Sequence, residues 1–98
     1  MLALSQDDLF LDYQASSKTE ALRQAAAALE QGGYVKHGFF DAMLARESSV
    51  STYLGAGIAL PHCAKERIDL VIKTGFQVFQ FPQGVNWGKG KIAFIVVA

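Results

Sequence analysis

The chain has 98 residues, room for one small domain with a single core and little apolar area to spare. Its 51% hydrophobic and 18% charged residues exclude a disordered or collagen-like polymer, and nine basic residues against nine acidic ones leave no positive field to gather nucleic acid non-specifically. The one cysteine, Cys63, cannot form an internal disulfide and has no zinc-like spacing around it, the start of the chain lacks signal-peptide character, and no segment is long enough to span a bilayer. A cytoplasmic protein is expected, with any membrane role exercised through a partner.

Leu9, Phe10 and Leu11, bounded by aspartates and extended by Tyr13, predict a first strand. Ser17-Lys18-Thr19-Glu20 has the form of a capping box, and Leu22, Ala25, Ala26 and Leu29 then share one helical face until Gly32-Gly33. Phe39, Phe40, Met43 and Leu44 predict a second amphipathic helix ending near Glu47, with Arg46 in its last turn. The polar stretch 48–52 reads as a loop that enters a short strand at Thr52-Tyr53-Leu54. After Gly55 and Gly57, Ile58-Ala59-Leu60 is apolar and extended, and Pro61 biases Leu60 away from helix, so His62 emerges just after a strand.

Alternation over residues 70–81 predicts a full strand, with Pro82-Gln83-Gly84 as a turn, 85–87 as a short extended piece and Gly88-Lys89-Gly90 as a second turn. Residues 92–97 are apolar on both faces, which suits a strand covered on both sides. Dimerisation or the two helices could cover the sheet, but a domain truncated at its C-terminus is the expectation, because compact domains rarely end on such a run.

With only His37 and His62, a nucleophilic imidazole has two possible positions. His37, at the start of the second helix, reads as an exposed structural residue. His62 follows a Gly-rich bend, a buried strand and a restricted proline, an arrangement that presents one side chain at a sheet edge; on the residues alone, structural and catalytic readings stand level. A neutral imidazole can attack phosphorus and later surrender the phosphoryl group, provided a cation or amide donors meet the oxygens and a hydrogen bond holds the ring tautomer. Arg46 is the candidate cation, against the alternative that it only complements the helix dipole. Lys65, Arg67 and the Thr52 hydroxyl are weaker candidates with ordinary loop roles, and Cys63 reads as a small buried residue. No Walker or dinucleotide-binding glycine pattern occurs.

Gly57-Ile58-Ala59-Leu60-Pro61-His62 resembles the active-site motif of enzyme IIA domains of the mannitol and fructose class of the sugar phosphotransferase system. The likeness extends through Gly32-Gly33-Tyr34-Val35, residues 42–47, Thr52-Tyr53-Leu54-Gly55, Lys73-Thr74-Gly75 and Gln83-Gly84-Val85, with the mannitol branch favoured by the segments around Arg46 and Thr52. It implies a three-layer α/β domain with a mixed β-sheet flanked by α-helices over residues 1–98. It also implies a phosphoryl carrier in which His62 accepts phosphate from the phosphocarrier HPr and passes it to a sugar-specific IIB domain or IIBC permease. Arg46 would stabilise charge on the phosphoryl group, with no bound cofactor and no metal. Cysteine at 63 departs from the small residue usual there, and the family continues past its counterpart of 92–97 into helices that add a second active-site histidine. A regulatory module sensing phosphorylation, or an inactive fragment that could form a homodimer, are the alternatives.

Overall fold

The computed structural model describes residues 5–98; the reading of residues 1–4 as having no leader character lies outside them. After a single 3-10 turn, Gln6–Asp8, come β1 (Leu9–Phe10), α1 (Lys18–Gln31), α2 (Phe39–Ser49), β2 (Tyr53–Gly55), β3 (Ile58–Ala59), a 3-10 segment (Lys65–Leu70), β4 (Val78–Gly88) and β5 (Lys91–Val97). The strands form one mixed sheet in the order β1-β4-β5-β3-β2. β4 and β5 are an antiparallel hairpin, β1 runs parallel to β4, β3 runs parallel to β5, and β2 closes the other edge antiparallel to β3. This is the mixed-sheet α/β fold expected.

The capping-box signal at α1 works in a shifted form. The Ser17 hydroxyl accepts from the Glu20 amide at 3.1 Å, but the Glu20 carboxylate reaches one residue further back, taking the Ser16 amide at 2.8 Å and the Ser16 hydroxyl at 2.6 Å. Ala21, Leu22, Ala25, Ala26 and Leu29 are buried, and Gly33 leaves the helix with φ of 81°, a conformation that costs glycine nothing. α1 packs on β4 and α2 packs on α1, so Leu22, Met43, Phe79, Phe81 and Val96 meet in one core. Full burial of a side chain such as Leu22 contributes about 1.5–3 kcal/mol.

The strand expected over 70–81 forms only at its end. Leu70 closes the 3-10 segment, and Ile72 and Lys73 donate their amides to the Tyr34 carbonyl at 2.8 and 3.3 Å, so this stretch binds the link after α1 rather than a sheet neighbour. Conversely, Pro82-Gln83-Gly84 is no turn: β4 runs straight through it as a bulge, residues 81–84 facing only Phe94 between the pairs Gln80–Ile95 and Val85–Ala93. A bulge frees the strand from needing an amide at Pro82, and Gly84, at φ of 80°, supplies the bend. The second turn forms as expected, Lys89 and Gly90 both having positive φ, which matches the twist of a two-residue hairpin. On β5, Ala93 and Val96 are fully buried while Ile92 and Phe94 stand exposed beside Ile58, so the strand is not enclosed on both faces within the described residues.

Candidate functional site

β2 and β3 form a tight hairpin whose two turn residues, Ala56 and Gly57, have φ of 52° and 81°. The Tyr53 hydroxyl braces this turn, accepting from the Gly57 amide at 3.0 Å and donating to the Ile92 carbonyl at 3.1 Å. β3 is then drawn inward by pairing with β5, Ile58 opposite Ile95 and Ala59 opposite Val96. Ala59 is fully buried, Leu60 donates its amide to the Thr52 carbonyl at 3.0 Å, and the Pro61 ring is fully buried. His62 is the first side chain past this anchored segment, and it is exposed.

The imidazole is not free to rotate its chemistry. Its Nδ1 lies 2.8 Å from the Leu60 carbonyl oxygen. A carbonyl can only accept, so Nδ1 carries the proton and, in the neutral ring, Nε2 carries the lone pair. No hydrogen bond among the described residues engages Nε2. The arrangement suits a nucleophile, its tautomer set by the backbone two residues behind it.

Beside the ring is a cavity of about 280 Å³, mostly apolar, whose walls include Phe39, Cys63, Ile68, Val71, Lys73 and Thr74. Its basic side chain is Lys73, with Nζ 4.6 Å from the centre of the Tyr34 ring. The Tyr34 hydroxyl in turn donates to Asp8 at 2.9 Å. Sequence reasoning passed over Lys73 as a strand residue; its signal was the Lys73-Thr74-Gly75 likeness.

Arg46 is placed differently. It sits in the last turn of α2, and its guanidinium donates to the Val50 carbonyl at 2.7 Å, tying down the end of its own helix. It is not among the residues lining the cavity, and no hydrogen bond joins it to His62. Lys65 and Arg67 are exposed on the 3-10 segment, Arg67 lying 3.7 Å from Asp69. Cys63 is half-buried, and burial raises its thiol pKa, which suits a packing role. His37 is 96% exposed at its side chain, 3.6 Å from Glu30, and far from any chemistry. Among the described residues no group of three metal-ligating side chains converges, and no helix is long and apolar enough to cross a membrane.

Glu47, read in the sequence only as the end of α2 and as part of the likeness over 42–47, is a carboxylate only 5% exposed. One oxygen accepts from the Thr52 amide at 2.9 Å, Lys18 Nζ at 2.9 Å and Trp87 Nε1 at 3.2 Å; the other accepts from the Thr52 hydroxyl. Burial by itself would raise its pKa, but the Thr52 hydroxyl and amide and the Lys18 charge outweigh that and hold it below the ordinary glutamate value. Thr52 therefore spends its hydroxyl on Glu47 and offers none to His62. Nothing local in the sequence marks this site, because Lys18, Glu47, Thr52 and Trp87 come together only in the folded chain.

Residues 3–98 match the family model of the phosphoenolpyruvate-dependent sugar phosphotransferase system, EIIA 2. The multiphosphoryl transfer protein of Salmonella typhimurium is 54% identical over 97 residues, 99% of this chain and 26% of that protein. The mannitol-specific EIICBA component of Escherichia coli is 43% identical over 91% of this chain and 14% of that protein. The chain thus spans about a quarter or less of the curated relatives it matches. Among solved structures, the crystal structure of IIA mannitol from Escherichia coli superposes with a TM-score of 0.93 at 42% identity, over 98% of this chain and 70% of that one. The complex of enzyme IIA of mannitol with phosphorylated enzyme IIB of mannitol from the same organism includes a chain matching at 0.94 and 40% identity, covering 99% of this chain and 69% of that one.

Proposed function

Because this chain belongs to the phosphoenolpyruvate-dependent sugar phosphotransferase system EIIA 2 family, we propose that it is a phosphoryl carrier whose acceptor atom is Nε2 of His62. The single observation that carries the assignment is the Nδ1 contact to the Leu60 carbonyl, which leaves an outward lone pair on an exposed ring. The Nε2 lone pair attacks the phosphorus of a phosphohistidine donor, HPr in this reading. The donor's P–N bond breaks as the new one forms, and the bonding pair returns to the donor imidazole. The positive charge that develops on the His62 ring is met by the Leu60 carbonyl dipole through Nδ1–H. Such transfer passes through a loose transition state, so in-line placement and charge stabilisation are most of what the protein must supply.

Onward transfer runs to a IIB domain, in keeping with the solved relative bound to phosphorylated IIB. Arg46 is the cation proposed to meet the charge of the incoming phosphoryl group, for which its guanidinium has to leave the Val50 carbonyl that it holds in the unphosphorylated chain. Lys73, on the wall of the His62 cavity, is a second cation for the same task. Relatives named for mannitol are in keeping with the mannitol branch, but the multiphosphoryl transfer proteins match at higher identity, and the sugar itself is bound by the membrane component in this reading.

Incubation with phosphorylated HPr and then with a IIB domain tests the reading. The chain takes up label on His62 and passes it on, while His62→Ala stays folded and unlabelled. Stable labelling without onward transfer would identify a regulatory module instead, and an unlabelled, folded wild type would overturn the carrier assignment.

A further inference from the structure

We propose that Glu47 is a positioning residue for His62, holding the ring in its Nδ1–H tautomer through the backbone of Thr52 and Leu60; this rests on His62 being the phosphoacceptor. The path is continuous. The buried carboxylate grips Thr52 by both its amide and its hydroxyl; the Thr52 carbonyl accepts the Leu60 amide at 3.0 Å; the Leu60 carbonyl accepts His62 Nδ1–H at 2.8 Å.

The middle of this path is where control is needed. The Leu60 carbonyl belongs to the peptide that precedes Pro61, and that peptide has no N–H with which to fix its own orientation. It is held only from its two ends, by the buried Pro61 ring on one side and the Leu60 amide on the Thr52 carbonyl on the other. Thr52 lies where α2 hands over to β2, a short loop that would otherwise be free to shift. Glu47 clamps one side of that loop and Arg46, through the Val50 carbonyl, the other. Lys18 from α1 and Trp87 from β4 lock the carboxylate in turn, so the helix layer and the sheet both bear on where the Leu60 oxygen points.

The carboxylate is also hard to replace. Four donors face it: an amide, a hydroxyl, an indole N–H and an ammonium. Three of them can only donate and share one oxygen, which a negative charge serves best, while the hydroxyl on the other oxygen can also accept. Glutamine matches the shape but lacks the charge: with its oxygen on the Thr52 amide, its NH2 faces the Thr52 hydroxyl, which can turn to accept, so Glu47→Gln exchanges charge-assisted bonds for neutral ones and weakens the grip on Thr52 without opening a cavity. Thr52→Val is milder, deleting the hydroxyl while leaving the Thr52 amide bond available.

Long-range 1H–15N NMR of the imidazole in mildly alkaline buffer reads the tautomer without any phosphoryl donor. The wild type shows the Nδ1–H signature. Glu47→Gln shifts the population towards the Nε2–H form favoured by free histidine and slows phosphate uptake from phosphorylated HPr about ten-fold, the loss expected of one ordinary hydrogen bond. Thr52→Val shifts the tautomer less in the same direction, and decides the matter alone if Glu47→Gln fails to fold. Folded variants that both keep the full Nδ1–H signature would overturn the proposal. A wild type that takes up no phosphate, yet loses its Nδ1–H signature on mutation of Glu47, would remove the carrier reading and support the coupling.

Discussion

Gly75→Ala isolates how tightly the wall of the His62 cavity is built. A Cβ at Gly75 would lie 2.2 Å from Tyr34 Cε1 and 2.8 Å from Cδ1, far inside contact distance. The ring cannot simply slide away, because its opposite edge already faces Gly32, where a Cβ would stand 3.1 Å from Cδ2 and Cε2. Its hydroxyl is tied to Asp8 at 2.9 Å and Lys73 lies over its face. Overpacking of this kind costs about 1–3 kcal/mol. Gly→Ala also removes conformational freedom from the unfolded chain, which returns about 0.4–1 kcal/mol. At 2.2 Å the clash wins, and a net loss of about 1–2 kcal/mol is expected, a fall in Tm of roughly 5–15 °C for a domain of this size. Urea unfolding monitored by circular dichroism measures it, and the double variant with Tyr34→Ala shows coupling, since the second change deletes the atoms that collide. A Gly75→Ala protein as stable as wild type, or losses that merely add in the double variant, would refute the wedged-ring reasoning.

The other expectations are smaller in scope. Because Glu47 ionises below its ordinary value of 4.5 in the fold, its contribution is fully present above that value and is lost as pH falls through the folded pKa; the stability gap between wild type and Glu47→Gln should narrow on acidification below about pH 4.5 and not between pH 6 and 8. Glu20 and Asp8 are likewise depressed, chiefly by the Ser16 and Gln77 side chains respectively, and steepen the acid limb in the same direction. Ser17→Ala removes the acceptor for the Glu20 amide and costs about 1 kcal/mol by chemical denaturation, with Ser17→Gly costing less. Gly84→Ala is expected to be worse than Gly75→Ala, since its φ of 80° strains any L residue and its Cβ would lie 2.5 Å from Ile92 Cγ2; loss of the β4 bulge would appear as faster amide exchange at Val85 and Ala93.

Much of the site's presentation was legible one residue at a time. The Ser17 cap, the apolar face of Leu22, Ala25, Ala26 and Leu29 and the placement of His62 after a short strand and a proline all depend on neighbours within a turn or two, and each formed as read. The long strand expected over 70–81 failed because alternation cannot tell a sheet partner from a loop that lends its amides to Tyr34. The Pro82 turn failed because a proline and a positive-φ glycine serve a bulge as well as a turn, and only the partner strand decides between them.

Composition and motif by themselves determined the class of domain, the family and the identity of the acceptor candidate, since all three rest on residue types at short spacing. The tertiary structure decided the rest. It gave His62 its tautomer through Leu60, set Arg46 on Val50 rather than on the histidine, and brought Lys73 to the cavity wall. It also gathered Lys18, Glu47, Thr52 and Trp87 around one buried carboxylate, from positions 69 residues apart at the extremes, because a buried charge persists only where donors from several elements converge on it.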